Sequence, residues 1–343
     1  MKRRSFVAVS LCIATLAIGP APGHAQDALE KPKITIAVGG KTLFYYLPLT
    51  IAERLGYFRD AGLSVEISDF PGGAKALQAL VGGSVDMVSG SFEHTINMQA
   101  KGIAIEAVVL QGRYPGIVLG LKKDKAATYK SGKDLKGLKI GVTAPGSSTN
   151  MFVSHLLAKD GLPPDALSII GVGAGASAVA AMKKGEIDGI ANLDPVIHRL
   201  EAAGDIVSVV DTRTASGSQA VYGGVYPAGS IYVPIAFVKK NPNTTQALVN
   251  AMVRALLWIQ KATPDQIVDA VPAEYYGSDK AVYKAALEKN LAAFSPDGLV
   301  PPQGVKNVYA VLNAFEASVK EAKIDPGKTF DNSFVQKALA RYQ

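Results

Sequence analysis

Residues 73–86 read GAKALQALVGGSVD, and residues 175–188 read GASAVAAMKKGEID, which repeats the same pattern later in the chain. The two segments share Gly, Ala, Ala, Ala, Gly and Asp at matching positions. Self-similarity at a fixed offset is typical of a structural unit that has been built twice. Two Ala- and Gly-rich helices can also resemble each other by chance, but the shared order of helix, glycine, apolar residue and aspartate favours a duplicated βα unit.

Around each copy, strand patterns alternate with helix patterns. Short runs rich in β-branched residues predict strands, and apolar residues at helical spacing predict the helices between them. The predicted strands are 33–38, 63–70, 85–89 and 105–110 around the first copy, and 138–142, 167–172 and 187–191 around the second. From Asn241 onward the pattern is helical. This alternation predicts an α/β fold with mainly parallel sheets and helices on both faces.

Composition excludes several classes of protein. The chain has 343 residues, 48% of them hydrophobic and 19% charged, and a chain of this length suits about two globular domains. A single cysteine excludes a disulfide scaffold or a Cys-rich zinc module. The formal net charge of +7 is spread along the chain, and the densest basic run, residues 122–125, has no interleaved aromatic residues. We therefore expect no nucleic-acid partner.

The first 25 residues have the pattern of a secretory signal peptide. Residues 2–4 are Lys, Arg and Arg, an apolar run covers Phe6–Ile18, and a turn-rich stretch ends at Ala25. The apolar run is too short to span a bilayer, which favours cleavage near Ala25 over an uncleaved membrane anchor. We expect a periplasmic protein, exported by either the general or the twin-arginine route.

Catalytic and cofactor motifs are incomplete. Gly40-Lys41-Thr42 resembles the end of a phosphate-binding loop, but the first glycine of that motif is replaced by Thr35. The turn 171–176 fits the G-x-G-x-x-A pattern of dinucleotide-binding proteins, with Asp194 near the position of a ribose-binding acid, yet a lone match is weak. Neither H-E-x-x-H nor G-x-S-x-G occurs. We predict no catalytic residue, no metal site and no cofactor.

Polar loops follow the predicted strands, and ligands bind at the carboxyl ends of strands in open α/β sheets. Ser-rich turns at these loops open helices, whose first N–H groups lack intrahelical acceptors and favour an anion. Alternatively, these Ser and Thr residues only cap the helices, the basic side chains face solvent, and the aromatic residues face the core. The predicted ligand-binding residues are Lys41, Phe44, Tyr45, Gly73, Ser89, Ser91, Phe92, Arg113, Ser147, Ser148, Thr149, Asn192 and Asp194.

Four motifs carry a family resemblance. They are Pro48-Leu49-x-x-Ala52-x-x-x-Leu55-Gly56-Tyr57-Phe58, the turn Gly62-Leu63, the run Gly82-Gly83-Ser84-Val85-Asp86, and Asp134–Ile140, which opens the second half. With these motifs, the sequence resembles periplasmic solute-binding proteins of the nitrate/sulfonate/taurine ABC-importer family, which themselves resemble thiamin-pyrimidine precursor synthases. A common pattern in the family has tryptophan before the acid at Asp194, and Leu193 stands there in this chain.

The resemblance implies a two-lobed type II periplasmic-binding-protein clamshell with a helical C-terminal segment. Lobe 1 would comprise residues 33–117 and 232–343, and lobe 2 residues 118–231, with crossovers near Ile117–Leu121 and Ser230–Phe237. The implied function is capture of a small organic, anionic solute between the lobes. A monomer would then deliver that solute to an inner-membrane ABC permease driven by a cytoplasmic ATPase.

Two other functions stay open. A periplasmic ligand sensor or a tripartite-transporter receptor would share the clamshell. A thiamin-pyrimidine synthase would share it too, but the resemblance implies a clustered cysteine motif for iron in such synthases, and this sequence has one cysteine, Cys12.

Overall fold

Two five-stranded sheets organise the chain. The computed structural model describes residues 28–277 and 279–342, so the predicted signal peptide lies outside the described residues. The strands are β1 Lys33–Val38, β2 Ser64–Asp69, β3 Met87–Ser91, β4 Ile105–Leu110, β5 Val118–Leu121, β6 Lys139–Val142, β7 Ser168–Gly171, β8 Gly189–Asn192, β9 Val207–Asp211 and β10 Gly229–Pro234.

The first sheet has the strand order β2-β1-β3-β10-β4. Ile34 and Ile36 of β1 are fully buried, and this strand pairs in parallel with β2 along its whole length and with β3 on its other side. β10 returns late in the chain to pair antiparallel with both β3 and β4. The sheet is therefore mixed, although the sequence predicts mainly parallel strands, because apolar alternation indicates the buried face of a strand but not its direction.

The second sheet repeats this layout in the order β7-β6-β8-β5-β9, with β5 antiparallel between β8 and β9. β6, β7 and β8 take the places of β1, β2 and β3: Ile36 pairs with Met87 in the first sheet, and Ile140 pairs with Gly189 in the second. The antiparallel strands are β10 in the first sheet and β5 in the second, and each lies at one of the two predicted crossovers. The structure thus confirms that one βα unit occurs twice.

The aspartates that end the two repeated segments make the same contacts in both sheets. Asp86 accepts a hydrogen bond from the N–H of Thr35 at 3.0 Å, and Asp188 accepts one from the N–H of Lys139 at 2.9 Å. The N–H of each aspartate donates in turn to the carbonyl of the same partner residue. Each aspartate thereby ties the end of a helical turn to the start of a central strand, which explains its presence in both copies.

Helices connect the strands and form the C-terminal segment. They are α1 Leu47–Arg54, α2 Tyr57–Asp60, α3 Gly73–Val81, α4 Glu93–Ala100, α5 Lys123–Ala126, α6 Ser148–Lys159, α7 Ala176–Lys183, α8 Val196–Ala203, α9 Ala215–Tyr222, α10 Ile235–Lys240, α11 Pro242–Lys261, α12 Pro264–Ala270, α13 Lys280–Asn290, α14 Pro302–Phe315, α15 Ala317–Glu321 and α16 Ser333–Tyr342. No helix in the described part of the chain is both long and apolar enough to cross a membrane.

The C-terminal helices contact both sheets' helical layers. α11 packs on α1, α2 and α16 beside the first sheet, whereas α14 packs on α6 and α13 packs on α8 beside the second. This segment therefore bridges the two halves of the molecule. The fold is the two-sheet α/β arrangement that the resemblance implies, and the exact lobe boundaries stay a prediction.

Candidate ligand site between the two sheets

A small polar cavity lies where the carboxyl ends of strands from the two sheets face each other, and we call it the polar chamber. Its lining residues are Gly39, Leu43, Tyr45, Tyr46, Gly73, Ser91 and His94 on the side of the first sheet, and Thr143, Ser148 and Leu193 on the side of the second. Because both sheets contribute, a solute bound in this chamber would hold them together.

Close backbone contacts shut one side of the polar chamber. Gly72, between β2 and α3, has an extended backbone with φ −176°, so its conformation does not require glycine. A Cβ atom there would lie 2.8 Å from the Cβ of Ala144 and 3.1 Å from the backbone nitrogen of the same residue, across the junction. Ser147, just before α6, accepts a hydrogen bond from the N–H of Ala74 at 2.9 Å and joins the same two loops. Glycine at position 72 thus permits the closed contact.

Ser91 ends β3 and lines the polar chamber. Its hydroxyl donates to Oε2 of Glu93 at 2.7 Å, and the hydroxyl of Tyr226 donates to Oε1 of Glu93 at 2.6 Å. Burial raises the pKa of Glu93 to about 7, against the opposing effect of these two hydrogen bonds. Sequence patterns do not predict Glu93 as part of the site, because Tyr226 lies 133 residues further along the chain.

His94, in the first turn of α4, lines the polar chamber. Its Nδ1 lies 2.9 Å from the hydroxyl of Tyr232, the backbone of Gly146 is a further neighbour of the ring, and its Nε2 lacks a hydrogen bond of normal geometry among residues 28–277 and 279–342. Burial lowers the pKa of His94 to about 4, so the imidazole is neutral at pH 7. The buried hydroxyl of Tyr45, near Ser91, also lacks a hydrogen bond of normal geometry within the described chain. Buried polar atoms are normally paired, so these two atoms are available to a ligand.

Two helices begin at the polar chamber, one from each half of the molecule. α3 begins at Gly73 and α6 begins at Ser148, and both residues line the chamber. The first N–H groups of a helix have no intrahelical acceptor and carry partial positive charge, which favours an anion. No Lys or Arg side chain is among the lining residues of this chamber. An anion bound here would therefore be recognised by neutral donors rather than by an ion pair.

A second cavity adjoins the first, and we call it the apolar chamber. Tyr45 and Leu193 line both chambers. The other lining residues of the apolar chamber are Phe44, Gly112, Tyr114, Pro115, Gly116, Asp194, Asn290, Ala293 and Phe294. The ring of Phe44 packs edge-on against Tyr283 at a centroid distance of 4.8 Å, which fixes one wall. Two of the predicted aromatic contacts, Phe44 and Tyr45, therefore face a cavity.

Asp194 is fully buried at the wall of the apolar chamber. Its Oδ2 accepts hydrogen bonds from Arg213 at 3.1 Å and from Asn290 at 2.6 Å, and its Oδ1 accepts one from the N–H of His198 at 2.8 Å. Its backbone carbonyl accepts a hydrogen bond from the N–H of Phe44 at 3.0 Å. The carboxylate is satisfied within the protein and ties the loop after β8 to α13, and the backbone carbonyl of Asp194 ties the same loop to the loop after β1.

Seven predicted site residues line neither chamber. They are Lys41, Ser89, Phe92, Arg113, Ser147, Thr149 and Asn192. Ser89 accepts a hydrogen bond from Gln111 at 2.8 Å, and Phe92 is fully buried in the core of the first sheet. Lys41 is half-buried, and its backbone N–H donates to Asp69 at 2.9 Å. Contact of these residues with a ligand stays a prediction.

The remaining side chains of this set are also engaged within the protein. The hydroxyl of Thr149 lies 2.9 Å from that of Thr143, which itself lines the polar chamber. Asn192 donates to the carbonyl of Gly173 at 3.1 Å, and the guanidinium of Arg113 donates to a backbone carbonyl at 2.8 Å. These residues shape the loops around the chambers instead of lining them.

The structure bears on two kinds of site considered from the sequence, a metal site and a dinucleotide site. Among the described residues, no group of three or more His, Cys, Asp or Glu side chains could hold a metal ion. The glycine-rich turn 171–176 leads into α7, a helix of eight residues, and Asp194, the candidate ribose-binding acid, is paired with Arg213. The turn therefore lacks the free acid that a dinucleotide site would need.

Several solved structures share the fold of this chain. A protein of Bordetella bronchiseptica RB50 is 55% identical, with a TM-score of 0.89, over 92% of this chain and 99% of that chain. The alkanesulfonate-binding protein SsuA of Xanthomonas axonopodis pv. citri, solved with MOPS, is 20% identical, with a TM-score of 0.69, over 89% of this chain and 100% of that one. The periplasmic nitrate-binding protein NrtA of Synechocystis PCC 6803 is 16% identical, with a TM-score of 0.67, over 92% and 90%. The last two likenesses show a shared fold.

The sequence is also similar to pyrimidine phosphate synthases, and it matches the profile of one family. The 4-amino-5-hydroxymethyl-2-methylpyrimidine phosphate synthase of Schizosaccharomyces pombe is 30% identical over 160 residues, which are 46% of this chain and 44% of that protein. The profile of the NMT1-like family matches residues 27–271, which is most of the chain. The protein therefore belongs to the NMT1-like family.

Proposed function

We propose that this protein is an extracytoplasmic solute-binding protein of an ABC importer, which captures a small organic anion in the polar chamber and delivers it to a membrane permease. The observation that carries the proposal is a polar cavity lined from both sheets and closed by contacts between them. Capture and release need donors and a hinge but no nucleophile, which suits the residues that line this chamber.

The donors at the polar chamber favour an anion over other solutes. The starts of α3 and α6 converge on it, and the hydroxyl of Ser148 and the neutral imidazole of His94 add two further groups. Of the predicted contacts, Gly73, Ser91 and Ser148 are therefore the ones we propose to touch the solute head group. A hydrogen bond to a charged group contributes roughly 1.5–3 kcal/mol, so a few such donors suffice for micromolar binding.

Closure of the two halves would couple binding to transport. The hydrogen bonds Ala74 to Ser147 and Phe44 to Asp194 join the halves in the closed arrangement. A solute stabilises that arrangement only by binding it more tightly than an open one, and contacts from both sheets provide this difference. The closed protein would then dock, as a monomer, on a permease with a cytoplasmic ATPase.

Relatives and the N-terminal sequence support this reading. SsuA and NrtA are named for binding alkanesulfonate and nitrate, both small anions. The pattern of residues 1–25 is typical of export, which would bring the chain to the periplasm. A periplasmic sensor or tripartite-transporter receptor would use the same chamber, and a genomic neighbour encoding an ATPase would favour the importer.

The likeness to pyrimidine phosphate synthases favours a second candidate, an enzyme of thiamin-pyrimidine synthesis. The resemblance implies a cysteine cluster in such enzymes, whereas this sequence has a single cysteine. Assay of the purified protein for pyrimidine phosphate formation tests this candidate directly, and we expect no product.

Calorimetry with a panel of small acids tests the importer proposal. The panel contains nitrate, methanesulfonate, benzenesulfonate, acetate and benzoate, and we expect at least one of them to bind. X-ray scattering should then show a smaller radius of gyration for the protein with this anion than without it. Ser148→Ala removes a hydroxyl at the start of α6 and should weaken that binding by about tenfold, since 1.4 kcal/mol is a factor of ten.

Ser154→Ala is the matched control, because Ser154 lies on the same helix and lines neither chamber. It should bind like the wild type. Equal affinity of Ser148→Ala and Ser154→Ala would contradict a head-group site at α6, and absence of binding by the whole panel would contradict an anion as the solute.

A further inference from the structure

Glu93 is a buried acid without a basic partner. It is 4% exposed, and none of the ion pairs among the described residues includes it. Its two oxygens accept hydrogen bonds from the hydroxyls of Ser91 and Tyr226. A buried carboxylate without a cation is costly, so a group of this kind at a binding cavity is a candidate for function.

The hydrogen bond from Ser91 connects this acid to the polar chamber. While Glu93 is ionised, the proton of the Ser91 hydroxyl is committed to Oε2, and Ser91 can offer the chamber only a lone pair. When Glu93 is protonated, its own O–H can donate to Oγ of Ser91, and the serine proton can turn toward the chamber. One proton on Glu93 therefore changes Ser91 from an acceptor to a donor and removes a negative charge beside the chamber.

We propose that the polar chamber binds an anion together with one proton, which Glu93 holds while the solute is bound. This inference rests on the proposed function, since it requires that the chamber is a solute site. It narrows the solute class to anions whose binding is accompanied by uptake of one proton on Glu93, so that the net charge of the site and solute together does not change.

The groups around Glu93 support this coupling. Tyr226, Tyr222, Tyr45 and Glu316 are the titratable groups that act on it or on which it acts, from the loop before β10, α9, the turn after β1 and the end of α14. None of these is a cation, and the charge of Glu316 raises the pKa of Glu93 further, after the larger effect of burial. With a pKa of about 7, the proton can be taken up from neutral solution.

An ammonium solute would reverse the proton exchange, because a cation would bind beside ionised Glu93 and favour release of the proton from this side chain. The lining of the polar chamber opposes that alternative. Two helix starts converge on it, and such ends disfavour a cation. The sign of the proton exchange on binding distinguishes the two cases.

The test is calorimetry of the wild-type protein with nitrate, methanesulfonate and benzenesulfonate, whose charges do not change between pH 6 and 9. Each titration is repeated in two buffers whose buffering species are cationic or neutral, Tris and triethanolamine at pH 8 and bis-Tris and imidazole at pH 6, because the difference in observed heat between two such buffers counts the protons exchanged without adding a competing anion. We expect uptake of about one proton per anion at pH 8 and little uptake at pH 6. Affinity should fall by close to tenfold per pH unit above pH 8.

Glu93→Gln keeps the size of the side chain and cannot ionise. It should bind the same anions with an affinity that does not depend on pH and without proton uptake. Glu106→Gln is the matched control, because Glu106 is a half-buried acid whose pKa burial also raises to about 7, it lies outside the Ser91 hydrogen bond, and its loss should leave the uptake unchanged. The wild-type proton count needs no variant, so a misfolded Glu93→Gln protein would leave the test intact.

Anion binding without proton uptake at pH 8 would overturn this inference and leave the proposed function standing. Preferential binding of methylammonium would overturn the inference as well. Absence of binding by every anion between pH 6 and 9 would overturn both, and that outcome identifies the failure of the proposed function.

Discussion

The junction between the two sheets has two sides, and each side has one buried carboxylate. On the side of the apolar chamber, Asp194 is paired with Arg213 and hydrogen-bonded to Asn290. On the side of the polar chamber, Glu93 has two hydroxyl donors and no cation. The difference lies in the partners and not in the burial, since both side chains are almost completely enclosed.

This comparison separates a structural acid from a responsive one. A carboxylate that is paired with an arginine and accepts hydrogen bonds from two further donors is fixed by groups from several elements, so Asp194 serves to hold loops together. A carboxylate with neutral donors alone can release or bind a proton near neutral pH, as the raised pKa of Glu93 indicates. Variants at the two sites should therefore affect different measurements.

The largest effect is expected on the side of Asp194. Arg213→Leu removes the cation and leaves Asp194 buried without a counter-charge, which costs about 3–5 kcal/mol of unfolding free energy. Urea unfolding monitored by circular dichroism measures this loss at pH 7.

Arg113→Leu is the matched control for that variant. Arg113 is half-buried, and its guanidinium donates one hydrogen bond to a backbone carbonyl. Its loss should cost about 1 kcal/mol or less. Equal losses of unfolding free energy in the two variants would show that the ion pair with Asp194 stabilises the protein no more than an ordinary hydrogen bond does.

A pH-dependent effect is expected at Glu93. Its pKa is about 7 in the folded protein and ordinarily 4.5, so between these values the folded state holds a proton that the unfolded chain has released. Wild-type stability should therefore fall as pH rises from 4.5 to 7. Glu93→Gln lacks this loss, and its stability relative to the wild type should rise by up to roughly 3 kcal/mol across the same range.

Urea unfolding of both proteins at pH 5, 6, 7 and 8 measures the difference. The test is the change with pH of the difference in unfolding free energy between the two proteins, and not the size of that difference at any single pH. A difference that stays flat from pH 5 to 8 would mean that Glu93 ionises like an exposed acid, and it would remove the contrast with Asp194.

The duplicated architecture could be predicted because its determinants are local. The repeated Gly, Ala and Asp positions of 73–86 and 175–188 report a helix, a turn and the aspartate that bonds to the next strand. The direction of β5 and β10 could not be predicted from periodicity. It depends on which strands the chain meets after each crossover, and this is settled only by tertiary pairing.

The lining of the polar chamber could be predicted where it depends on the end of a single strand. Ser91 ends β3, Ser148 follows β6, and both line the chamber, as expected from ligand binding at the carboxyl ends of strands. His94 and Glu93 are different, because their burial depends on Tyr232 and on Tyr226, which lie 138 and 133 residues away in sequence. The partner of Asp194 is likewise brought by another strand, so its ion pair with Arg213 could not be predicted, and contact of Asp194 with a ligand stays a prediction.

The smallest effect is expected from a wedge on the side of the polar chamber. Gly72→Ala places a Cβ atom 2.8 Å from the Cβ of Ala144, in a backbone conformation that alanine adopts without strain. The two halves should then fail to close fully, and solute affinity should fall by about tenfold, equivalent to 1.4 kcal/mol. Each sheet keeps its own core, so urea unfolding should change little.

Gly175→Ala is the control for this wedge, because Gly175 directly precedes α7 as Gly72 directly precedes α3, and a Cβ atom at Gly175 meets nothing within 4 Å. It should bind solute like the wild type, as measured by calorimetry with the anion selected from the panel. If Gly72→Ala binds as tightly as Gly175→Ala, the contact between Gly72 and Ala144 is not part of closure. The hydrogen bond from Ala74 to Ser147 would then join the two halves on the polar side without a contribution from the Gly72 contact.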